Sequence, residues 1–254
     1  MWEYSRLNIS NTVLSKRKIE QLINNGSVSG WDDPRLHTIQ GLRRRGYTAS
    51  VINKFCQEIG VSRSGNENLT SFKKLEFYCR EELNESAPRT FAVLNPIELE
   101  IVNFDELAEK QVEACYFPPD KTKGVQILNV TKSVYVDVND FSAEEKKGFF
   151  GLMPGQVVLL RYGPHIQMEE VVKNSAGKVE KVRVRIIANH TAKVKGVIHW
   201  VSKDHSIPAI INQYSNLLTV ENVAVESKKD NRDWTSYFNK DSLVVYRNAR
   251  MWNM

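Results

Sequence analysis

The sequence predicts an α+β chain: a small helical subdomain over about residues 18–88, followed by antiparallel β-barrels over 89–254. Three observations carry this. Before Pro88, apolar residues recur at helical spacing between capping residues. After Pro88, the pattern changes to short alternating runs broken by turn residues. No run of about 18 apolar residues occurs in either part, so no membrane-spanning helix is expected.

The helices are placed by their apolar stripes and their ends. Ile19, Leu22 and Ile23 share a face within residues 18–23. Thr38 is placed to cap a short helix holding Ile39 and Leu42, which Gly46 ends. Thr48 caps the next, where Val51, Ile52, Phe55, Cys56 and Ile59 form one stripe up to Gly60. Phe72, Leu75, Cys79 and Leu83 define a further helix that stops before Ala87-Pro88, since proline cannot continue it.

Strands follow around Pro96. In 97–102, Ile97, Leu99 and Ile101 alternate with Glu98, Glu100 and Val102, which makes one face apolar. Other expected strands are 91–94, 133–138, 157–161, 165–173, 179–187, 194–201, 217–224 and 242–247. Asn174-Ser175-Ala176-Gly177 reads as a hairpin turn. Residues 104–125 and 226–240 read as longer loops.

Composition narrows the function classes. Of 254 residues, 41% are hydrophobic and 26% charged, ordinary for a globular chain. The net charge is +5, which permits a nucleic-acid partner without requiring one. Its distribution says more: Lys16-Arg17-Lys18 and Arg43-Arg44-Arg45 are basic clusters, while acidic residues gather at 76–85 and 98–113. Met1 to Arg6 has no apolar core of signal-peptide type, leaving the cytoplasm as the default compartment. Cys56, Cys79 and Cys115 form neither a Cys-x-x-Cys pair nor a disulfide framework and read as buried thiols. The five histidines have no metal-ligand spacing, so no metal site is assigned.

Val13-Leu14-Ser15-Lys16-Arg17 is the segment with most chemistry in it. A lysine on a loop can act as a mobile point charge where negative charge builds on a phosphate, with the serine hydroxyl and backbone N–H groups beside it. An exposed basic turn before a helix is the plainer reading of such a loop taken alone. With Arg6-Leu7-Asn8 before it and Trp31-Asp32-Asp33-Pro34-Arg35 after it, however, the segment resembles the second signature loop of class I aminoacyl-tRNA synthetases, in the form used by the glutaminyl branch. That loop commonly reads Lys-Met-Ser-Lys-Ser; Val13, Leu14 and Arg17 depart from it. The resemblance implies that Ser15, Lys16 and Arg17 contact ATP, with Lys16 the catalytic cation and Mg2+ accompanying the nucleotide.

Further segments extend the resemblance. Ala87-Pro88-Arg89 resembles the family's approach to its anticodon-binding barrels, which implies base recognition by Arg89. Guanidinium suits the task, being always charged, forked and able to stack on an unpaired base. The plain alternative is a salt bridge from Arg89 to Glu81, Glu82 or Glu85. Arg161 matches a second arginine of the anticodon face, although the following Tyr162-Gly163-Pro164-His165 departs from the family. Lys193 to Ser202 is close to a glutaminyl-type signature and reads as a structural strand; Trp200 and Trp234 could stack bases, though core packing is the plainer reading.

Two basic groups are read from geometry. Three consecutive arginines spread around ~300° of a helix, so Arg43, Arg44 and Arg45 cannot all face one partner; Arg44 is taken as an RNA-phosphate contact and at least one of the three as a structural ion pair. Lys181, Arg183 and Arg185 alternate with apolar residues, placing three cations on one strand face at ~6.5–7 Å spacing. That face is either a phosphate track or a solvated outer surface.

Taken together, the chain is expected to hold the tail of a Rossmann catalytic domain with the signature loop (1–17), the helical subdomain (18–88), and an anticodon-binding region with an incomplete proximal barrel and a distal one (89–254). No His-Ile-Gly-His-type motif is present, and Pro164-His165-Ile166 does not fit one. The nucleotide-binding sheet and amino-acid pocket are expected upstream of Met1, and closing strands after Met254, so that the isolated chain cannot aminoacylate and leaves a sheet edge exposed. The implied partners are tRNA(Gln), with glutamine and ATP in the full enzyme, for a monomer that could join a multi-synthetase assembly. The alternatives are the C-terminal half of a glutamyl-tRNA synthetase, a stand-alone RNA-binding module, and a protein-binding fragment.

Overall fold

The computed structural model describes residues 4–63, 69–188 and 190–253. Met1, Trp2 and Glu3, part of the N-terminus read for a leader core, lie outside the described residues. The chain forms two compact units, one of residues up to Ala87 with Asn212–Val244, the other of Pro88–Ile211 with the residues from Val245. The division at 87/88 lies next to the boundary expected at 88/89. Residues 212–244, expected within the β region, join the helical unit.

The first unit begins with β1 (Asn8–Ile9), α1 (Lys16–Asn24), α2 (Ile39–Arg45), α3 (Ala49–Ile59), β2 (Leu69–Thr70) and α4 (Phe72–Ser86). The expected caps form. The Thr38 hydroxyl accepts from Gly41 N at 2.9 Å, and Thr48 does the same for Val51 N at 3.3 Å. Gly46 ends α2 at φ 104, a left-handed conformation that glycine adopts without a Cβ penalty. Residues 4–17 are not a loose tail: β1 pairs parallel with β2, and Ile9 packs with Leu42, Val51, Phe55, Phe72 and Leu75 in one core cluster.

The second unit carries β3 (Ala92–Val93), β4 (Pro96–Ile101), β5 (Gln111–Cys115), β6 (Val125–Asn129), β7 (Ser133–Asp137), β8 (Val157–Leu160), β9 (His165–Lys173), β10 (Val179–Ile186), β11 (Val197–Ile198) and β12 (Trp200–Ser202). Seven of these form one sheet in the order β11-β8-β9-β10-β4-β7-β12. Its two outer strands are consecutive pieces of a single segment, separated by His199 alone. That segment pairs with β8 through one half and with β7 through the other, so the sheet closes on itself as a barrel. The alternation read from sequence fills it: Leu99, Ile101, Val134, Val136, Val158, Leu160, Ile166, Val182 and Val184 are fully buried. Trp200 is buried with them.

Several expectations need correction. The barrel is mixed rather than wholly antiparallel, because β10 runs parallel to β4 and β11 parallel to β8. Neither pair is joined by a hairpin, so no turn dictates its direction. The 104–125 loop contains β5, which pairs with β6 as a hairpin. The strand expected over 217–224 is absent: Leu217 and Leu218 are both buried in the helical unit, and Asn222 caps α5 (Val223–Lys229). Two further strands, β13 (Ser206–Tyr214) and β14 (Leu243–Trp252), form a separate three-stranded sheet in the order β13-β14-β3, which stays open among the described residues. Cys56 is exposed and Cys79 and Cys115 half-buried, so the thiols are less deeply packed than expected; all three are free.

Candidate functional site

In the helical unit, Ser15 is the residue before α1, with extended φ −73 and ψ 123. Lys16 and Arg17 are exposed in the first helical turn, which carries no acidic residue. Helix N-terminal N–H groups and the helix dipole favour an anion at such a place. A cavity of about 320 Å³ opens beside it, lined by Arg6, Ser15 and Lys18 and by the start of α5 at Asn222 and Val223. Lys16 and Arg17 lie outside that lining. Lys18 lines the cavity together with Arg6, and its ammonium sits 4.9 Å from the Trp234 ring centre. Partial burial lowers its pKa, and the Asp233 carboxylate opposes the shift. Sequence reading missed Lys18 and Arg6 as site residues; the Lys-Arg-Lys run was the available signal, but not which lysine lines the cavity.

Within the Trp31-Asp32-Asp33-Pro34-Arg35 segment, Asp33 and Arg35 are buried and structural, while Trp31 and Asp32 are exposed. The Arg35 guanidinium donates to both Asp33 carboxylate oxygens, at 2.9 and 2.8 Å, and to the Ser242 hydroxyl at 3.1 Å. Asp33 also accepts from Ser29 N at 2.9 Å. Both side chains are buried. Burial pushes the Asp33 carboxyl up, but the hydrogen bonds from Arg35 and Ser29 outweigh it and hold the carboxyl at about 2. Of the three consecutive arginines, Arg45 is half-buried near Glu76 (3.8 Å) and over the Phe72 ring (5.5 Å). Arg44 makes an exposed pair with Asp32 at 3.1 Å.

In the barrel unit, Arg89 is half-buried. Its N–H donates to the Tyr116 carbonyl at 3.1 Å and its carbonyl accepts from Gln126 Nε2 at 2.9 Å. Glu81 is engaged by Lys54, and Glu82 by Thr48 and Ser50. Arg161 follows β8 and is exposed. Among the described residues no carboxylate lies within ion-pair distance of it. Its guanidinium lies 5.8 Å from the Tyr162 ring centre, and its carbonyl accepts from the buried Trp200 indole at 2.9 Å. Phe91, two residues after Arg89, meets Tyr162 edge-on at 6.2 Å and His199 at 5.5 Å. Partial burial and the Arg161 charge lower the His199 pKa, which favours the neutral imidazole.

The Lys181, Arg183 and Arg185 row lies on one face, as expected, but not as bare cations. Lys181 pairs with Glu100 at 2.7 Å, Arg183 with Glu100 at 3.3 Å and Glu170 at 2.8 Å, and Arg185 with Glu169. Lys203 pairs with Glu98 on the same sheet. The parallel register sets Lys181 beside Glu98 and Arg183 beside Glu100. The solvated, self-neutralised face is therefore the better description of this row than an open phosphate track. Among the described residues no group of three His, Cys, Asp or Glu is placed to hold a metal ion, so no Mg2+ ligand is assigned to these side chains. No helix among them is long and apolar enough to cross a membrane.

Comparison with known proteins finds three domain matches along the chain. Residues 1–85 match the model of class I (E and Q) tRNA synthetase catalytic domains. Residues 87–187 and 197–251 match two models of the anti-codon binding domain of the same enzymes. A probable glutamine–tRNA ligase of Dictyostelium discoideum is 38% identical over 98% of this chain and 31% of its own length. The glutamine–tRNA ligase of Aliivibrio fischeri is 40% identical over 96% of this chain and 44% of its own. That of Neisseria meningitidis is 38% identical, with 95% and 44% covered. The chain thus spans less than half the length of these curated relatives. By three successive domain matches that run along nearly all of it, the chain belongs to the class I (E and Q) tRNA synthetases.

Proposed function

We propose that this chain is the tRNA-binding, C-terminal portion of a cytoplasmic glutamine–tRNA ligase. The observation that carries the reading is the 38–40% identity to glutamine–tRNA ligases along 95–98% of the chain. The family models cover glutamate and glutamine enzymes alike, and the relatives favour glutamine over glutamate. In such a ligase the glutamine carboxylate attacks the ATP α-phosphate and pyrophosphate leaves, giving an adenylate; an acceptor-end hydroxyl of tRNA(Gln) then takes the aminoacyl group and AMP leaves. The N-terminus of α1, with Arg6 and Lys18 lining the cavity beside it, suits a polyphosphate. Ser15 lines the cavity too; Lys16 and Arg17, exposed in the first turn of α1, are assigned to the same nucleotide, with the Lys16 ammonium following the charge that builds on the leaving group.

RNA contact is assigned to Arg89 and Arg161 in the barrel unit. Arg44 joins them from the helical unit, since its pair with Asp32 is exposed and weakened by water. The paired residues Lys181, Arg183 and Arg185 are assigned a structural role. The test is tRNA(Gln) binding by the whole chain as salt rises. Phosphate-based binding should weaken by about 10²–10⁴-fold between about 50 and 200 mM salt. Weak, salt-indifferent binding would instead favour a protein-binding role. The chain alone is expected to give no ATP–pyrophosphate exchange, and measurable exchange would refute that part of the reading.

A further inference from the structure

Three non-glycine residues among those described adopt positive φ: Asn11, Asn231 and Tyr162. Asparagine tolerates the left-handed region, because its short side chain can hydrogen-bond locally; a tyrosine there is strained. Tyr162, at φ 65, is at the tip of the tight turn between β8 and β9. The turn is closed twice, by Gly163 N donating to Leu160 O at 2.6 Å and by Leu160 N donating to Pro164 O at 3.1 Å. Arg161 is pinned from both sides, its N–H on Ile198 O at 3.0 Å and its carbonyl under the Trp200 indole. The surroundings fix an unfavourable backbone, and strain of this kind gathers where a side chain must be presented in one place.

What the turn presents is an aromatic ring. Tyr162 is 38% exposed, with Phe91 against its edge and the Arg161 guanidinium near its centre. A partly exposed ring with a neighbouring cation that has no carboxylate within ion-pair distance among the described residues matches the way single-stranded bases are held, by π-stacking reinforced by arginine.

We propose that Tyr162 is a stacking platform for an unpaired nucleobase of the bound RNA, with Arg161 as the cation beside it; this rests on the RNA-binding reading above. If Tyr162 only covered Phe91, asparagine would relieve the backbone strain but expose the core, and RNA affinity would not depend on the ring.

The test uses the whole chain and an anticodon stem-loop RNA of tRNA(Gln) carrying the fluorescent base aminopurine in its loop. Tyr162→Asn keeps the left-handed turn and removes the ring. It should leave the thermal midpoint unchanged or raised, weaken binding about tenfold or more, and abolish quenching of the fluorescent base. Tyr162→Phe should keep affinity within about twofold and retain quenching. Tyr162→Trp, with a larger face, should bind at least as tightly as the parent, and it decides the matter if the asparagine variant does not fold. Parent binding with unchanged affinity and quenching in Tyr162→Asn overturns the stacking role alone. An equal loss in Tyr162→Phe overturns it too, because the hydroxyl and not the ring would then be responsible. Absence of salt-sensitive RNA binding by the parent chain overturns the RNA-binding reading and the platform with it.

Discussion

The Asp33–Arg35 pair and the charged face of β10 are made of the same chemistry and behave as opposites. In the first, one carboxylate and one guanidinium are buried, joined in two places and tied to Ser242 across more than 200 residues of sequence. In the second, four cations and four carboxylates cover an exposed sheet face and neutralise one another in water. The difference teaches that neither a motif nor a basic row identifies a ligand contact by residue type. Arg35 is committed to the fold, the β10 row is committed to its neighbours, and Arg161, which has no carboxylate within ion-pair distance among the described residues, has a charge to offer.

The largest effect that would break this contrast lies in the buried pair. Asp33→Ala leaves the Arg35 guanidinium buried without its partner and should cost about 3–5 kcal/mol of unfolding free energy, read by urea titration. A loss below about 1 kcal/mol would mean that the pair behaves as a surface one.

Acid titration follows in size. The Asp33 carboxyl is depressed from 3.8 to about 2, so its contribution is complete above the unfolded value and is lost as pH falls through the folded one. The protein should lose roughly 2 kcal/mol between about pH 4 and pH 2 through this group, and Asp33→Asn should flatten that part of the profile. A profile that keeps its slope in that variant would assign the acid sensitivity elsewhere.

Unbalancing the sheet face sharpens the comparison from the other side. Glu100→Gln with Glu170→Gln strips the carboxylates from Lys181 and Arg183. The pair of substitutions should strengthen RNA binding severalfold at low salt and steepen its salt dependence by about two phosphate contacts. An unchanged slope would show that RNA never approaches this face. The smallest effect is expected of Arg183→Ala, which should leave the unfolding midpoint unresolved from the parent, since exposed pairs contribute little.

Much of the fold was legible because local rules decide it. Thr38, Thr48, Gly46 and Gly60 mark helix ends through groups that act within four residues. Strict alternation at Ile97, Leu99 and Ile101 gives β4 its buried face. What failed depended on partners far away. Leu217 and Leu218 read as strand but are side-by-side core residues of the helical unit, and Asn222 starts a helix directly after them. The β5–β6 hairpin hides among charges, because only Ala114, Gln126 and Leu128 within it are buried. Ser206–Tyr214 contains Pro208 and has no buried residue, so no periodic signal marked β13. The candidate site divides the same way. Ser15 and Lys16 were readable as a segment, whereas Lys18 was not, since its cavity is completed by residues 221–224. The pairing of the β10 row was equally invisible, because it depends on the parallel register with β4.

The measurement that reaches the centre of this account is tRNA(Gln) affinity across a salt series for the parent chain, Arg161→Ala and Arg183→Ala side by side. The account predicts that the parent binds in a strongly salt-dependent way, that Arg161→Ala weakens binding about tenfold or more, and that Arg183→Ala follows the parent curve. Loss of affinity in Arg183→Ala with none in Arg161→Ala would contradict it.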